Sequence, residues 1–488
     1  MRSVFIVYLF LVSACTKHNP DSCCLTTEQC SMLGIDAIIG CASGKACDGT
    51  GACVVAQCST SADCANAGAP ICENQLCVAK CVTDDECIGV AGAPYCASDG
   101  ACVACLENSQ CSAAAPICDA MASSCRGCAQ DSECPGGVCR ESEGTCVLDA
   151  SVAFVKTGGS DAGTCTRDAP CATLNGAISK LNSRTTIHIL GATYSVGTTT
   201  QGISASVYID GENTTVFGAD TVFSVDNGSN PLTMNNLSIP ASVNAIKIAA
   251  SGARLVLYKT TIQGVSVSNA GILEASHSTL TPVAGDSLTC NGGTMRLEAV
   301  SSTGRLVATN CQADVRRSRI TVNNTLNSIG CALFSGGTYV FENNLVIASN
   351  DIDCTAFSQA GPGSAVRFNT IFNITSSQTD KAALVCDNTA TVTDNIIAYN
   401  SRYPHSGQCM SNHTLYDQTS METAGTGNIQ ADVSTFFVDV VGLNFHLAAG
   451  SPAIGAAAPV VGVTVDLEGN PRPSPAGSQP DIGAYEAP

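Results

Sequence analysis

One short pattern recurs through the middle of this 488-residue chain and constrains its fold more than any other feature. It consists of an apolar residue, two residues of any type, a residue that is usually small and polar, one residue of any type and a second residue that is usually apolar. Copies recur about every 23 residues, and a fixed period of this size is typical of a solenoid. The eight copies occupy residues 232–237, 257–262, 275–280, 297–302, 315–320, 340–345, 366–371 and 392–397.

The residues within and between the copies indicate which kind of solenoid forms. The apolar runs are too short for helices and are rich in Val, Ile, Leu and Thr, which favours strands. A coil of about 20–25 residues holds two or three short strands, and stacking places each strand about 4.8 Å from its counterpart, in parallel. The sequence therefore predicts an all-β fold, a parallel β-helix that is similar to the right-handed, pectate-lyase-like kind.

The fourth position of the pattern is predicted to form a ladder of hydrogen bonds along the stack, as Asn side chains do in other stacked strands. A polar groove for ligands is the functional alternative. The residues at this position are Asn235, Thr260, Ser278, Val300, Ser318, Asn343, Asn369 and Asn395.

Composition narrows the range of partners. The formal net charge of −19 argues against a nucleic-acid partner, because binding phosphates needs Lys and Arg. The 31 cysteines indicate an oxidising compartment. No cofactor and no metal is predicted, although the acidic composition is compatible with calcium.

The N-terminus has the features of an export signal. Arg2 precedes an apolar run over residues 4–12. This run is too short to span a bilayer, because a spanning helix needs about 20 apolar residues. The residues Val12-Ser-Ala-Cys15 resemble the bacterial lipobox. That resemblance implies a signal peptide at 1–14, lipid attached to Cys15 and a tether over 15–22. Thr16 is not the Asp that retains such proteins at the inner membrane, so the outer membrane is expected. An ordinary secretory signal is the alternative.

Residues 23–148 contain 22 cysteines and predict no hydrophobic core. Modules of about 23 residues bury too little apolar surface to fold without cross-links, so two disulfides per module are expected, in any of three connectivities. The alternative is zinc bound at Cys102-x-x-Cys105 and Cys125-x-x-Cys128, which have ligand spacing. The tandem resembles the Cys-rich stalks of bacterial surface lipoproteins, a semi-rigid spacer. The four regular modules hold Cys58, Cys64, Cys72, Cys77; Cys81, Cys87, Cys96, Cys102; Cys105, Cys111, Cys118, Cys125; and Cys128, Cys134, Cys139, Cys146.

The β-helix is predicted over residues 149–440. Its first part, with Pro170-Cys-Ala-Thr-Leu174 before a short helix and Ile187-His-Ile-Leu190 after it, resembles the start of right-handed β-helix repeat proteins. A helix is expected over 173–182, covering the open end of the first coil. Cys165 and Cys171 are expected to pair across the loop. The later cysteines are spaced mostly by one coil, so disulfides are expected between Cys290 and Cys311, Cys331 and Cys354, and Cys386 and Cys409.

Stacking the copies predicts charge pairs on one face, with Glu298 beside Arg316 and Arg317 beside Glu342. Such pairs are structural and worth about 0–1 kcal/mol when exposed. The functional alternative is that Arg316, Arg317 and Arg319 bind an acidic glycan. Enzymes with this fold use close carboxylates, or an Arg or Lys base beside bound calcium. The scattered candidates here are Asp351, Asp353, Asp380, Lys381, Asp387, Asp394, Arg367 and His405.

The C-terminal residues 441–488 carry a specific resemblance. The segments Asn444-Phe-His-Leu447, Gly450-Ser-Pro452, Gly469-Asn-Pro-Arg472 and Asp481-Ile-Gly-Ala-Tyr-Glu486 resemble the choice-of-anchor Q region of bacterial surface β-helix proteins. The resemblance implies a surface protein, and this region is expected to cap the far end of the helix. Arg472 is available to pair Asp466, Asp481 or Glu486.

The sequence thus predicts a lipid-anchored protein of the outer membrane or cell surface, with a stalk, a β-helix and a cap. Its β-helix is expected to be non-catalytic and to bind extracellular polysaccharide or another surface, or to act as a scaffold. The alternatives are a polysaccharide lyase or glycoside hydrolase acting on an acidic glycan, and an inert surface-layer component. Fold alone does not decide between them, because function resides in sites that folds carry.

Overall fold

The computed structural model describes residues 45–47, 52–55, 71–73, 76–78, 81–88, 90–204, 206–218, 220–226, 231–241, 243–323, 330–349, 354–373, 382–387, 389–399, 403–407, 410–417 and 425–488. Cys15, the export signal and the tether lie outside these residues. Within them, no helix has the length and apolar character needed to cross a membrane. The chain divides into two compact units, one of residues 1–129 and 143–145 and one of residues 130–142 and 146–488.

The N-terminal unit consists of short antiparallel hairpins held by disulfides. Where this unit is described, it contains 3-10 helices at Asp84–Cys87 and Asn108–Gln110. Neighbouring strands pair as β1 with β2, β3 with β4, β5 with β6 and β7 with β8. The strands are β1 (Lys45–Cys47), β2 (Cys53–Val55), β3 (Ile71–Glu73), β4 (Leu76–Val78), β5 (Tyr95–Cys96), β6 (Cys102–Val103), β7 (Ile117–Asp119) and β8 (Ser124–Arg126).

The structure selects one disulfide connectivity from the three that the sequence left open. In both modules of this unit where the bonds are described, the first cysteine bonds the third and the second bonds the fourth. Because Cys102 and Cys105 are each bonded within their own modules, the zinc alternative for that pair is wrong. The bonds are Cys81–Cys96, Cys87–Cys102, Cys105–Cys118 and Cys111–Cys125.

The second unit is built on one continuous sheet of thirty strands, β11 to β40. Strands from successive coils pair in parallel, which confirms the predicted all-β parallel β-helix. The strands of this unit are β9 (Gly137–Arg140), β10 (Thr145–Leu148), β11 (Val152–Lys156), β12 (Thr186–Leu190), β13 (Thr193–Ser195), β14 (Gln201–Ile203), β15 (Val207–Phe217), β16 (Phe223–Val225), β17 (Pro231–Ile239), β18 (Ile246–Ile248), β19 (Arg254–Tyr258), β20 (Thr261–Gln263), β21 (Val265–Ser268), β22 (Ile272–Ser276), β23 (Thr279–Thr281), β24 (Asp286–Asn291), β25 (Thr294–Glu298), β26 (Ser301–Ser302), β27 (Arg305–Arg316), β28 (Arg319–Asn323), β29 (Ala332–Glu342), β30 (Leu345–Ser349), β31 (Thr355–Ser358), β32 (Ala365–Arg367), β33 (Thr370–Asn373), β34 (Ala382–Cys386), β35 (Thr391–Thr393), β36 (Ile396–Tyr399), β37 (Tyr403–Gly407), β38 (Ser411–Asn412), β39 (Leu415–Asp417), β40 (Ile429–Ala431), β41 (Phe437–Asp439) and β42 (Asn444–Leu447).

A short helix, α1 (Leu174–Ser179), precedes the second strand of the sheet, within the range predicted for it. Thr173 caps its N-terminus, because the Thr173 side chain accepts a hydrogen bond from the Gly176 N–H at 2.9 Å. Leu174 and Ala177 are buried in the main core at its N-terminal end. Among the described residues of this unit, the other helices are single 3-10 turns at Asp131–Glu133, Asp149–Ser151 and Val433–Thr435.

Six of the eight copies of the pattern begin at the predicted residue, and the other two begin one or two residues later. The equivalent first positions are Met234, Leu257, Ala275, Leu297, Val315, Phe341, Val366 and Val392. The copy at 232–237 therefore moves by two residues and the copy at 340–345 by one. Apolar residues stand at both Val340 and Phe341, so the pattern alone permits either, and the larger Phe341 side chain takes the core position.

The polar ladder is present and structural. Asn344, rather than the predicted Asn343, occupies its place, as the shifted register requires. Asn344 Nδ2 donates to Asn369 Oδ1 at 3.0 Å, and Asn369 Nδ2 donates to Asn395 Oδ1 at 3.0 Å. All three side chains are fully buried. Their amides satisfy one another and neighbouring backbone groups, so this row is not open to a ligand.

The cysteines of the β-helix follow the predicted pairs in part. Cys165–Cys171 and Cys290–Cys311 are bonded, and Cys386 is in a disulfide, while Cys409 lies outside the described residues. Cys331 and Cys354, which were predicted to pair, lie on adjacent coils with their Sγ atoms 2.7 Å apart, so the structure places them as the predicted disulfide requires.

The C-terminal segment does not cap the far end of the helix as predicted. It packs along the flank of the last coils, where outward-facing apolar residues of four successive strands form a second core with it. Leu345, Phe372, Ile396 and Leu415 come from the coils, and their partners in the segment include Phe436, Phe437, Phe445 and Leu447. The reason is in the coils themselves, because these strands are apolar on both faces and need cover on the outside.

Candidate functional site

Two columns of outward-facing side chains run along one face of the β-helix. Residues paired in register on successive strands lie one above another, so each column is read directly from the strand pairing. The first column holds Val256, Glu274, Arg296 and Asp314. The second holds Tyr258, Ser276, Glu298, Arg316, Glu342 and Arg367.

A sharp turn after each second-column residue keeps the columns straight. The residue that follows has a left-handed backbone conformation, with φ between 44° and 55° at Lys259, His277, Ala299, Arg317 and Asn343. The next residue in every coil is a buried member of the inner ladder or its equivalent, such as Thr260 or Ser278. Each coil therefore bends at the same place, and the side chains before the bend point to the same side.

The columns form the walls and floor of a trough with a volume of about 490 Å³. It crosses four successive strands, β19, β22, β25 and β27, so at about 4.8 Å per strand it extends for about 14 Å. Its lining alternates hydrogen-bond donors with acceptors. The lining residues are Val256, Glu274, Ala275, Ser276, Arg296, Leu297, Glu298, Asp314 and Arg316.

Ion pairs join neighbouring coils across the trough. Glu274 accepts from Arg254 Nη2 at 2.5 Å and from Arg296 Nη1 at 2.7 Å. Within β27 itself, Arg316 Nε lies 2.6 Å from Asp314 Oδ1. About half of the Arg296 side chain is exposed, at 53%, so its remaining donors face solvent. The trough thus presents paired charges that are still available to neutral polar groups.

These ion pairs set the protonation states of the trough. Burial alone raises the pKa of Glu274, but hydrogen bonds and charges from Arg254 and Arg296 outweigh it, and its pKa lies below the usual value. For Arg316, burial lowers the pKa, while Asp314, Glu342 and further carboxylates raise it beyond this effect. An ionised Glu274 is a poor general acid, and an arginine with a raised pKa is a poor base.

One aromatic ring stands at the N-terminal end of the trough. Tyr258 precedes Ser276 in the second column. Its ring contacts the His277 ring at 5.5 Å between centroids and the Lys259 ammonium at 5.5 Å from its own centroid. The ring is partly exposed.

Residues 130–142 cover the same face beyond Tyr258, where the columns continue to earlier coils. Arg140 lies over the Tyr208 ring at 5.2 Å, and Glu141 pairs with Lys259 at 2.5 Å. Asp131 comes within 3.6 Å of His188 Nδ1, and Asp210 within 2.8 Å of the same atom. We call residues 130–142 the roof segment.

The roof segment buries ionisable groups of this column. Burial, the largest influence, raises the pKa of Asp131 to about 6, helped by the charges of Asp210 and Glu212. Burial lowers the pKa of His188, but the hydrogen bond and charge of Asp210, with the charges of Asp131 and Glu212, outweigh it and the net shift is upward.

At the other end, the C-terminal segment covers the columns. Asn343 Nδ2 donates to the Val465 carbonyl at 2.9 Å. A second cavity of about 390 Å³ lies here, between Glu298, Arg316 and the chain from Gly462 to Val465. The nearly buried Glu342 is held by two arginines, Arg316 at 3.0 Å and Arg367 at 2.6 Å.

The structure contains one of the two predicted charge pairs, and in the other it has a different arginine. Glu298 lies beside Arg316 in register, as expected. Arg316, not Arg317, lies beside Glu342, because the copy at 340–345 is displaced by one residue. Arg317 instead bonds back to Glu298. Arg319 begins a different strand, β28, in register with Leu345.

Among the described residues, the enzyme candidates Asp387, Asp394 and Arg367 each bond to other groups rather than to one another. Asp387 accepts hydrogen bonds from the turn residues Gln359 and Thr389, and Asp394 accepts from the Ala458 N–H at 2.8 Å. Arg367 is paired with Glu342. Asp351, Asp353, Asp380 and Lys381 lie outside the described residues, as does the His405 side chain.

The sequence interpretation missed the trough residues Glu274 and Arg296, and the buried group around His188. The sequence contained a partial signal for the group around His188. His188 and Asp210 each stand beside a buried Ile in equivalent strands, 22 residues apart, which is close to one coil. Asp131 had no such signal, because it reaches this place through a contact between non-repeating parts of the chain.

A comparison with models of protein families found no match, and a comparison with curated proteins found none either. Among solved structures, the chain is similar to the crystal structure of pectate lyase Pel9A at 13% sequence identity and a TM-score of 0.43, over 69% of this chain and 96% of that one.

Proposed function

We propose that the β-helix of this protein is a non-catalytic binding surface that holds a neutral polysaccharide chain in the trough. The observation that carries the proposal is the alternation of donors and acceptors along the two columns, with Glu274, Arg296 and Asp314 in one and Ser276, Glu298 and Arg316 in the other. Sugar hydroxyls both donate and accept hydrogen bonds, so such a surface can pair with them repeatedly. The Tyr258 ring supplies an apolar face at one end of the trough.

The charge balance favours a neutral ligand over an acidic one. Three carboxylates and two guanidinium groups line the trough. Arg316 and Arg317, two of the three arginines expected to bind an acidic glycan, are both bonded to carboxylates. The protonation states of Glu274 and Arg316 described above favour binding over hydrolysis or elimination.

Substitutions in the trough test this proposal. We expect Arg296→Ala and Tyr258→Ala each to weaken binding of a neutral polysaccharide by about tenfold or more, through loss of charged hydrogen bonds or of the ring face. Lys247→Ala removes an exposed cation on β18, away from the trough, and is expected to leave the affinity unchanged. Isothermal titration of the purified chain with neutral and acidic polysaccharides measures both effects.

Two results would contradict the proposal. One is an affinity that the trough variants leave unaltered while the ligand still binds. The other is the appearance of new reducing ends or unsaturated sugars when the chain is incubated with the polysaccharide, because either product requires catalysis.

We further propose that lipid on Cys15 anchors the protein to the outer membrane or cell surface, and that the disulfide-bonded modules act as a spacer. The support is the lipobox-like sequence and the high density of cysteines. Cys15→Ser is expected to move the protein from the membrane fraction to the soluble exported fraction. Fractionation of cells expressing each form, with metabolic labelling by a fatty acid, measures this. Lipid labelling that persists in the variant would exclude Cys15 as the attachment site.

A further inference from the structure

Three side chains from separate elements converge beneath the roof segment. Asp131 comes from the 3-10 turn Asp131–Glu133, His188 from β12 and Asp210 from β15. His188 Nδ1 lies 2.8 Å from Asp210 Oδ2 and 3.6 Å from Asp131 Oδ2. All three ligand-type atoms lie within 4.8 Å of one another.

This group is buried to an unusual degree for two carboxylates. The side chains of His188 and Asp210 are 4% and 2% exposed, and that of Asp131 is 15% exposed. Carboxylates removed from water carry a large desolvation cost unless a cation lies close by. Lys259 pairs with Glu141 and Arg167 pairs with Asp149, so the group that lies next to both carboxylates is the His188 imidazole.

A fourth side chain in the same column has an unmet requirement. Asn235 is fully buried and stacks directly on Asp210, and its Nδ2 donates to Asp210 Oδ1 at 2.6 Å. Its Oδ1 is buried and has no hydrogen-bond partner. An unsatisfied buried acceptor costs about 1–3 kcal/mol. A half-turn of the amide would bring that oxygen to the Asp210 carboxylate, which a cation between them would favour.

We propose that Asp131, His188, Asp210 and Asn235 form a zinc site that fastens the roof segment to the first coils of the β-helix. Zinc takes nitrogen and carboxylate ligands at about 2.0–2.2 Å in a tetrahedral arrangement, which separates adjacent ligand atoms by about 3.3 Å. The distances from His188 Nδ1 to the two carboxylates, 2.8 and 3.6 Å, lie on either side of this value. Calcium prefers six to eight oxygen ligands, and the central imidazole does not suit it.

The site has a structural rather than a catalytic geometry. Three of its ligands come from the β-helix and one from the roof segment, so the metal closes a contact between parts of the chain that are not adjacent in sequence. The disulfide Cys134–Cys146 holds the roof segment on its other side. The expected consequence of zinc is therefore a more stable fold, independent of what the trough binds.

Zinc titration of the untagged, oxidised full chain tests the proposal. After treatment with a chelator and its removal, the chain is expected to bind one zinc ion per molecule, by mass spectrometry of metal content and by calorimetry, and its Tm is expected to rise. Asp131→Asn keeps the oxygen that accepts from the Cys139 N–H, at 2.7 Å, but replaces the proposed ligand oxygen with NH2. It is expected to weaken zinc binding by about 100-fold or more.

Asp149→Asn is the matched control, because Asp149 lies in the same unit and pairs with the exposed Arg167. It is expected to bind zinc as the unaltered chain does. Zinc bound equally well by Asp131→Asn would place the metal elsewhere and overturn the proposal. So would a chelator-treated chain that takes up no zinc, or one whose Tm rises as much with calcium. The metal content of the unaltered chain decides the question even where a variant fails to fold.

Discussion

Replacing Arg472 with methionine is expected to destabilise the β-helix unit by about 3–5 kcal/mol. Arg472 is 4% exposed, and its Nε lies 3.0 Å from Glu486 Oε2, an ion pair rather than an aligned hydrogen bond. Its other nitrogens donate to the carbonyls of Asp481 and Gly483, and its guanidinium lies over the Phe368 ring at 4.5 Å. The substitution leaves the Glu486 charge buried without its partner.

The loss is expected to depend on pH, with a sign that the pKa of Glu486 determines. Burial raises this pKa to about 7, although Arg472 lowers it. Without Arg472 the pKa rises further. In the variant, the folded state therefore disfavours ionised Glu486 above about pH 7, and protonation relieves the cost as the pH falls toward the ordinary value of 4.5. Urea denaturation of the disulfide-intact chain at pH 8 and pH 5.5 measures the difference.

Two further variants separate the buried pair from a general effect of losing an arginine. Arg254→Met removes an exposed partner of Glu274 and is expected to cost less than about 1 kcal/mol. The double variant Arg472→Met with Glu486→Leu removes both charges and is expected to recover much of the loss. A single variant that is as stable as the unaltered chain at pH 8 would show that the ion pair does not hold the C-terminal segment to the flank.

Replacing Asn369 with leucine is expected to destabilise the β-helix unit by about 3–5 kcal/mol as well. Leucine has a similar volume but no amide. Asn369 accepts from the Asn344 N–H at 2.9 Å and from Asn344 Nδ2 at 3.0 Å, and it donates to the Phe341 carbonyl at 2.8 Å. All of these groups lie in the core and would lose a partner without gaining water.

The control for this substitution is Asn291→Leu, at an exposed position near the end of β24. It is expected to change the free energy of unfolding by less than about 0.5 kcal/mol. Denaturation midpoints of the two variants, measured side by side with disulfides intact, provide the comparison. Equal losses in both would mean that the ladder contributes no more than any exposed asparagine does.

The repeating part of this fold could be predicted closely, because each coil contacts its two neighbours and a stacked pattern must recur along the chain. The predicted register was wrong where two adjacent residues fitted the pattern equally well. Val340 and Phe341 are both apolar. Placing Val340 at the repeating core position predicted Asn343 instead of Asn344 in the ladder, and Arg317 instead of Arg316 beside Glu342. One residue of register moves every side chain of a strand to the other face.

The sequence by itself determined the β-helix, the disulfide-bonded modules and the polar ladder, since these arise from local periodicity and from cysteine spacing. Only the tertiary structure decided where the columns are covered and where they stay open as a trough. In the tertiary structure Asp131 contacts His188, and the C-terminal segment packs along the flank of the last coils instead of across the end of the β-helix. The physical reason is that these contacts join unlike segments once each, and a contact that does not repeat leaves no period in the sequence.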